Sequence, residues 1–256
     1  MRPTVWTPSA SAGLTGATDV SEHDGAPASA RTHPAVTGAC THTGLMPVAD
    51  LRRAARAAGV SDRRVLDAIG RIPRRVFVPP AHADRADVDA PIPIAHDQVT
   101  TQPSLSARML EALELTGDDH ALEVGTGYGY QTALLATLAG SVVSVERFAD
   151  LAAAARANLE RQGIDTVEVI VGDGTRGWPP GAPYDAIIVS AAFPRVPPPL
   201  VEQLRENGRL VQPIGRGGAD DVILFHRTAE GLRRVRTICP ARFVRLVGEL
   251  GYPFDP

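Results

Sequence analysis

Residues 120–130 read HALEVGTGYGY, a short apolar run followed directly by a turn with three glycines, Gly125, Gly127 and Gly129. The apolar run is typical of a buried strand, and a helical pattern begins after the last glycine. Glycines in such a turn tolerate positive φ and let a ligand approach the backbone, and the helix start offers free N–H groups. The stretch therefore predicts a strand–turn–helix unit that binds a ligand, although a tight turn without a ligand would also explain the glycines.

The alternation of strands and helices continues on the C-terminal side of this unit. Short apolar runs predict five strands, at 120–124, 141–146, 167–173, 184–190 and 208–214. Helical patterns lie between them, at about 129–139, 149–162 and 198–206. This order predicts an α/β fold with a doubly wound, mostly parallel sheet. Two more strand-like runs, 221–227 and 232–239, flank the turn TAEG and predict a closing antiparallel C-terminal hairpin.

The N-terminal side of the chain has two parts that differ in composition. Helices are predicted at 48–58, 61–70 and about 104–116. Residues 1–45 are instead rich in Ala, Ser, Thr, Pro and Gly and have no sustained helical or strand period. Such a segment buries too little apolar surface to offset its chain entropy. We therefore expect a disordered tail at 1–45 and one folded domain at 46–256.

The composition excludes some classes of chemistry. The chain has 256 residues and a net charge of −3, and all 26 of its basic residues are arginine. Without lysine, it forms no Schiff base with pyridoxal phosphate and has no Walker-type phosphate loop. The charge argues against a nucleic acid partner, and the absence of a signal peptide or a long apolar run argues against a membrane. We expect a cytoplasmic protein without a disulfide framework, because it has only two cysteines.

The next two predicted strands each end in a carboxylate. Glu146 ends the second strand, 21 residues after Gly125, where an acidic side chain can accept hydrogen bonds from ribose hydroxyls. Asp173 ends the third predicted strand, in Gly172-Asp173-Gly174, where it can approach an adenine amino group. In open α/β sheets, ligands bind at the carboxyl ends of the strands, so these groups meet the glycine turn there. Each carboxylate could instead bond to nearby backbone N–H groups.

The glycine spacing indicates which nucleoside cofactor binds. The dinucleotide fingerprint has glycines as Gly-x-Gly-x-x-Gly, whereas here Tyr130 stands in place of the third. Glu123 at the start of the turn would repel a phosphate but can accept from an α-amino group. These features favour S-adenosylmethionine over NAD, and no metal is expected. The predicted cofactor-binding residues are Glu123, Gly125, Thr126, Gly127, Tyr128, Gly129, Glu146, Asp173 and Gly174.

Successive blocks of the sequence resemble the protein-L-isoaspartate O-methyltransferase family. They are, in order, RVFVP, DVDAPIPIAHDQVTTQPSLSARMLEAL, LEVGTGYGYQTALLA, SVVSVER, VGDGTRGWP, PYDAIIVSAAFPRVPPPLVEQL and NGRLVQPIG. The resemblance covers roughly residues 48–251. It implies a Rossmann-like class I methyltransferase fold that transfers a methyl group from S-adenosylmethionine to the free α-carboxylate of L-isoaspartyl residues. The resulting ester closes to a succinimide, which initiates repair of the damaged protein or peptide. We expect a monomer.

The resemblance also locates the acceptor site. The family usually reads Gln-Thr-Ile-Ser-Gln-Pro before the helix at 104–116, and its serine is taken as the active-site residue. This chain reads Gln98-Val99-Thr100-Thr101-Gln102-Pro103, so Thr101 occupies the serine position and is the predicted catalytic residue. Threonine keeps a hydroxyl but adds a methyl that restricts χ1. Gln98, Thr100 and Gln102 are the predicted substrate-binding residues.

Two other functions remain open from the sequence. A relative with the same chemistry could methylate an ordinary aspartate in a dedicated peptide and form an aspartimide. Alternatively, a non-catalytic module could bind S-adenosylmethionine and transfer nothing.

A further departure from the family is Arg245, which stands where the family commonly has proline. This arginine could contact peptide carboxylates or stay solvated.

Overall fold

The computed structural model describes residues 50–253. The predicted tail at 1–45 and the predicted domain start at residue 46 lie outside these residues. The α-helices are α1 (Leu51–Ala57), α2 (Arg63–Arg71), α3 (Pro103–Ala112), α4 (Tyr130–Ala136), α5 (Ala149–Arg161) and α6 (Pro198–Gln203). Short 3₁₀ turns lie at Arg74–Phe77, Pro80–Arg85, Gly174–Arg176 and Pro179–Gly181. Within the described part of the chain, no helix combines the length and apolarity needed to cross a bilayer.

The strands form a single sheet of seven. They are β1 (His120–Val124), β2 (Ser141–Glu146), β3 (Val167–Val171), β4 (Tyr184–Val189), β5 (Leu204–Ile214), β6 (Asp220–Thr228) and β7 (Gly231–Ala241). Their order across the sheet is β3-β2-β1-β4-β5-β6-β7. Pairing is parallel from β3 to β5 and antiparallel from β5 through β7. The predicted doubly wound sheet with a C-terminal hairpin is confirmed.

The central strands are apolar because both of their faces are covered. Successive side chains of β1 point to opposite faces, so Ala121 packs into one core cluster and Leu122 into the other. Helices α1 to α4 contribute most of the helical residues of the first cluster, and Leu200 of α6 packs into the second. The helices thus lie on both sides of the sheet and leave the carboxyl ends of its strands open.

Three predicted helices run well past the observed ends. The helix predicted at about 129–139 ends at Ala136, and the other two show the reason. The pattern at 198–206 ends as a helix at Gln203, because Leu204 already pairs with Tyr184 of β4 and begins β5. The helix predicted at 104–116 ends at Ala112, and Glu114 lies in the left-handed region with a φ of 48°. In both places the helix ends although the apolar periodicity continues along the chain. The hydrophobic pattern therefore predicts a helix that is too long.

Candidate active site

The glycine-rich turn has the conformation that its sequence predicts. Gly125, Gly127 and Gly129 have φ values of 97°, 56° and 90°. Gly129 caps α4, and a Cβ there would lie 3.4 Å from Cβ of Ala155, so the turn packs closely against α5. The Gly125 N–H donates to the carbonyl of Val145, which fixes the turn to the end of β2. The backbone therefore forms one wall of an open cleft.

This cleft has a volume of about 920 Å³ and lies at the carboxyl ends of β1, β2 and β4. Four parts of the chain form most of its walls: the loop before α3, the glycine turn with the start of α4, the segment from β2 into α5, and the C-terminal segment at 244–247. Phe77, Gly174, Ser190 and Ala191 complete the lining. The predicted site residues among its lining are Gln98, Thr100, Thr101, Gly125, Thr126, Gly127, Tyr128, Glu146 and Gly174. The structure thus brings together residues that are far apart in the sequence.

Glu146 presents its carboxylate to this cleft. It is 5% exposed, and its two oxygens accept from the backbone N–H groups of Gly127, at 2.9 Å, and Phe148, at 3.1 Å. Each carboxylate oxygen has a second lone pair, so both can accept another hydrogen bond. The arrangement fixes the carboxylate and leaves it able to accept from a pair of vicinal hydroxyls.

Glu123 lies beneath the cleft and is not among its lining residues. The side chain is fully buried and accepts from the hydroxyls of Thr132 and Ser144 and from the amide of Gln131. Burial raises the pKa of Glu123 to about 7, although these three donors act in the opposite direction. The predicted contact between this carboxylate and an α-amino group stays a prediction. What the structure shows is a hydrogen-bonded link between β1, β2 and α4.

Asp173 holds two loops together. Its Oδ1 accepts from the backbone N–H and hydroxyl of Thr175, at 2.9 and 2.6 Å, and its Oδ2 accepts from the N–H of Glu249, at 2.7 Å. The predicted contact with adenine stays a prediction, because only the neighbouring Gly174 lines the cleft. A Cβ at Gly174 would lie 2.4 Å from Cγ1 of Val124, so only glycine fits this position.

The hydroxyl of Thr100 fixes the loop that precedes α3. Thr100 Oγ1 accepts from Nη2 of Arg74, at 2.9 Å, and from the backbone N–H of Ile92, at 3.1 Å. Arg74 is buried and also donates to the carbonyl oxygens of Ala86, Val88 and Ala90. The role of this arginine was not predictable from the sequence, because its partners are mostly backbone groups that leave no pattern there.

The two glutamines of the acceptor motif also order this loop. Gln98 Nε2 donates to the carbonyl of His96, and Gln102 Nε2 donates to Asp89 Oδ2 and Ser104 Oγ. Gln98 lines the cleft, whereas Gln102 does not line it and instead lines a neighbouring cavity. Both amide groups therefore hold the backbone around the predicted catalytic threonine, and their predicted contacts with substrate stay predictions.

His96 connects the same loop to the opposite wall of the cleft. Its ring stacks on Phe148 with 4.0 Å between the ring centroids, and its Nε2 lies 2.9 Å from Asp150 Oδ1. The hydrogen bond lowers the pKa of Asp150. The loop therefore lies across the cleft and contacts the start of α5.

A second cavity, also of about 920 Å³, adjoins the cleft. It lies between α3, the end of β7 and residues 242–244. The residues that line both spaces are Val99, Thr100, Thr101, Ser190 and Val244. Thr101 thus stands at the common wall, and within the described residues its hydroxyl makes no hydrogen bond to protein. The arrangement can hold two different molecules on either side of this hydroxyl.

Buried polar atoms test whether S-adenosylmethionine fits the cleft. Ser106 Oγ, Tyr130 Oη and Gln131 Oε1 belong to lining residues, are inaccessible to solvent and have no hydrogen-bond partner within residues 50–253. Burial also raises the pKa of Tyr130, so its hydroxyl keeps its proton. Buried polar groups normally have partners, and the polar methionine end of the cofactor offers both donors and acceptors. The predicted cofactor residues did not include these three side chains.

A metal-assisted reaction needs ligands close together. Among residues 50–253, no group of three or more His, Cys, Asp or Glu side chains is arranged to hold a metal ion.

Comparison with known proteins gives the family. A model of the protein-L-isoaspartate (D-aspartate) O-methyltransferase family matches residues 48–251. The chain is 48% identical over 197 residues to the protein-L-isoaspartate O-methyltransferase of Methanoculleus marisnigri, which covers 77% of this chain and 89% of that protein. It is 46% identical over 204 residues to the enzyme of the same name from Aeropyrum pernix, with 78% of each chain covered.

Solved structures agree with this assignment. A protein-L-isoaspartate O-methyltransferase superposes with a TM-score of 0.69 at 30% identity, covering 78% of this chain and 66% of that one. A structure from Plasmodium falciparum, in complex with S-adenosyl-L-homocysteine, has the same fold, with a TM-score of 0.64 at 23% identity over 78% of this chain and 97% of that one. The chain therefore belongs to the protein-L-isoaspartate (D-aspartate) O-methyltransferase family.

Proposed function

We propose that this enzyme transfers a methyl group from S-adenosylmethionine to the free α-carboxylate of L-isoaspartyl residues in damaged proteins or peptides. The observation that best supports the proposal is the position of Thr101, which lines both the glycine-walled cleft and the adjoining cavity. Methyl transfer requires the cofactor and the acceptor to lie on opposite sides of the methyl group that is transferred. The relatives named above, with 46% to 48% identity, support the same reaction.

The residues of the cleft hold the cofactor. The turn at Gly125–Gly129 would allow close backbone approach, and Glu146, which lines the cleft, would accept hydrogen bonds from the ribose hydroxyls. Ser106, Tyr130 and Gln131 line the same cleft and carry polar atoms that have no partner among residues 50–253, which suits the polar methionine end. When bound, the cofactor supplies an electrophilic methyl group on sulfur, so the protein has mainly to bind and to align.

The acceptor needs orientation more than activation. An α-carboxyl group has a pKa of about 3.3–3.7, so it is already ionised near neutral pH and needs no general base. Thr101 would donate its hydroxyl to one oxygen of the acceptor carboxylate and so fix the orientation of the other oxygen. Thr100, Gln98 and Gln102 keep the loop in place through their own hydrogen bonds. The methylated peptide then leaves the enzyme. The amide nitrogen of its isopeptide bond attacks the ester carbonyl and expels methanol, which closes the succinimide, and hydrolysis of the succinimide returns some normal aspartate.

The test is an incubation of the purified protein with S-adenosylmethionine and two peptides that differ only in carrying Asp or L-isoAsp at one position. We expect methyl ester on the L-isoAsp peptide alone. Ester on the Asp peptide would instead assign the enzyme to a dedicated aspartyl substrate. Tight binding of S-adenosylmethionine without any ester would make the protein a non-catalytic binding module.

We propose further that the enzyme is a cytoplasmic monomer that acts without a nucleic acid or membrane partner. The net charge of −3 supports the absence of a nucleic acid partner, since such proteins usually present a strongly basic face. Sedimentation of the full chain, with and without an isoaspartyl peptide, tests the oligomeric state.

A further inference from the structure

The second cavity carries positive charge that methyl transfer itself does not require. Arg108 of α3 and Arg242 after β7 line it, and none of the described residues that line it is acidic. Asp220, whose carboxylate bonds to the backbone beside this cavity, is buried. It accepts from the N–H groups of Gly217, Gly218 and Phe243, so hydrogen bonds already occupy its oxygens. Asp89 also lies behind the wall, where its carboxylate accepts from Gln102 and Ser104. Neither carboxylate belongs to the lining, so the charged side chains that line the cavity are the two guanidinium groups.

Arg242 is available to a ligand. Its side chain is exposed, and it forms no ion pair or hydrogen bond with any residue between 50 and 253. By contrast, Arg52, Arg64 and Arg209 each pair with an aspartate in the same structure. The planar guanidinium group matches a carboxylate with two parallel N–H donors, so a free arginine in a cavity favours an acidic side chain.

Arg108 is already held in position. Its Nη2 donates to the carbonyl oxygen of Ile238 at 2.5 Å, which ties α3 to β7. The remaining N–H groups have no protein partner in the described part of the chain. Because one hydrogen bond fixes the side chain, a carboxylate that enters the cavity meets a guanidinium group that loses little further freedom.

We infer that Arg242, assisted by Arg108, makes this enzyme favour isoaspartyl substrates with an acidic side chain next to the isoaspartyl residue. The inference rests on the proposed function, because it takes the second cavity as the place of the peptide acceptor. The attraction acts between two solvated charges, so it adds selectivity among substrates and is weakened by salt.

Three isoaspartyl peptides that differ only in Glu, Gln or Lys beside the isoaspartyl residue test the inference. We expect kcat/KM to be about two- to fivefold higher for the Glu peptide than for the Gln peptide, the range for an exposed ion pair. The ratio should fall to about one in Arg242→Gln, and Arg242→Glu should favour the Lys peptide. Arg63→Gln is the matched control, because Arg63 is exposed on α2 and lines neither cavity.

Binding of the same peptides in the presence of S-adenosyl-L-homocysteine separates this inference from the proposed function. Equal affinity and equal kcat/KM for the three peptides, or an unchanged preference in Arg242→Gln, would overturn the role of Arg242. Suppose that Arg242 gives the Glu peptide the tightest binding but none of the three peptides receives a methyl ester. The inferred preference for an acidic neighbour is then supported, and the proposed reaction is excluded. Melting temperatures of the variants show that each one is folded.

Discussion

Thr101 combines an accessible hydroxyl with a loop whose other polar groups are occupied. Thr100 bonds to Arg74, and Gln102 bonds to Asp89 and Ser104, so the loop holds Thr101 without using its hydroxyl. The added methyl of threonine, relative to serine, narrows its rotamer choice. A hydroxyl that the protein leaves free at the wall between two cavities is best explained by a contact with substrate.

Thr101→Ala should lower kcat by up to about a hundredfold, because a misaligned carboxylate loses its near-attack position. Cofactor affinity should change little, since the cleft keeps its other walls. Thr101→Ser restores the hydroxyl and should retain turnover within a few fold. Steady-state kinetics on an isoaspartyl peptide, with calorimetric titration of the cofactor, separates the two effects. Unchanged turnover in Thr101→Ala would exclude this residue from the reaction.

Glu146→Ala should weaken S-adenosylmethionine binding by about 1–3 kcal/mol, the scale of a hydrogen bond to a charged group. The carboxylate lines the cleft and already bonds to the turn through Gly127, so its loss affects both the ligand and the turn. Glu160→Ala is the control, because Glu160 is exposed on α5 and does not line the cleft. Equal affinities of the two variants in calorimetric titration would place the ribose elsewhere.

At the scale of elements, Glu123 joins β1 to its neighbours. Its carboxylate accepts from Ser144 of β2 and from Gln131 and Thr132 of α4, all beneath the glycine turn. The turn conformation therefore depends on a buried polar group as well as on glycine. Such a group is costly to ionise without solvent, and this cost is the main cause of its raised pKa.

The raised pKa predicts how stability depends on pH. Between its ordinary pKa of 4.5 and about 7, the folded chain holds a proton on Glu123 that the unfolded chain releases. The free energy of unfolding should therefore fall as pH rises through this range, by an amount on the order of 3 kcal/mol.

The variant Glu123→Gln isolates this contribution, because glutamine does not titrate. Denaturant unfolding of both proteins at several pH values gives the difference in their free energies of unfolding. We expect that difference to shift in favour of Glu123→Gln as pH rises from 4.5 to 7. Parallel curves for the two proteins would show that the carboxyl group is not desolvated.

The elements differ in how far the sequence predicts them. The bounds of β1 and β2 follow from apolar runs between polar ends, because both strands are buried on both faces. The end of α6 does not follow, because pairing of Leu204 with a distant strand decides it. The partners of Glu123 come from two other elements, so only the folded chain brings them together. The positions of Glu146 and Gly174 in the cleft were predictable, since Glu146 ends a strand and Gly174 lies shortly after the next one.

At the scale of the whole molecule, the C-terminal segment closes the site that the N-terminal half begins. The residues at 244–247 line the cleft opposite the glycine turn, and Glu249 bonds to Asp173 through its N–H. Ala192 N–H donates to the carbonyl of Val244, and Leu246 N–H donates to the carbonyl of Ala192. The parallel sheet alone therefore provides only part of the cleft, and the chain beyond β7 completes it.

The same organisation gives a prediction for the N-terminal residues 1–45. The family match begins at residue 48, and the helices, strands and cavities described above all lie between residues 50 and 253. A variant that lacks residues 1–45 should therefore keep its melting temperature and its kcat/KM on an isoaspartyl peptide. Calorimetry and steady-state kinetics of the full and shortened chains make the comparison. A large loss of either quantity would show that these residues belong to the folded enzyme, and a loss of kcat/KM alone would place them at the substrate.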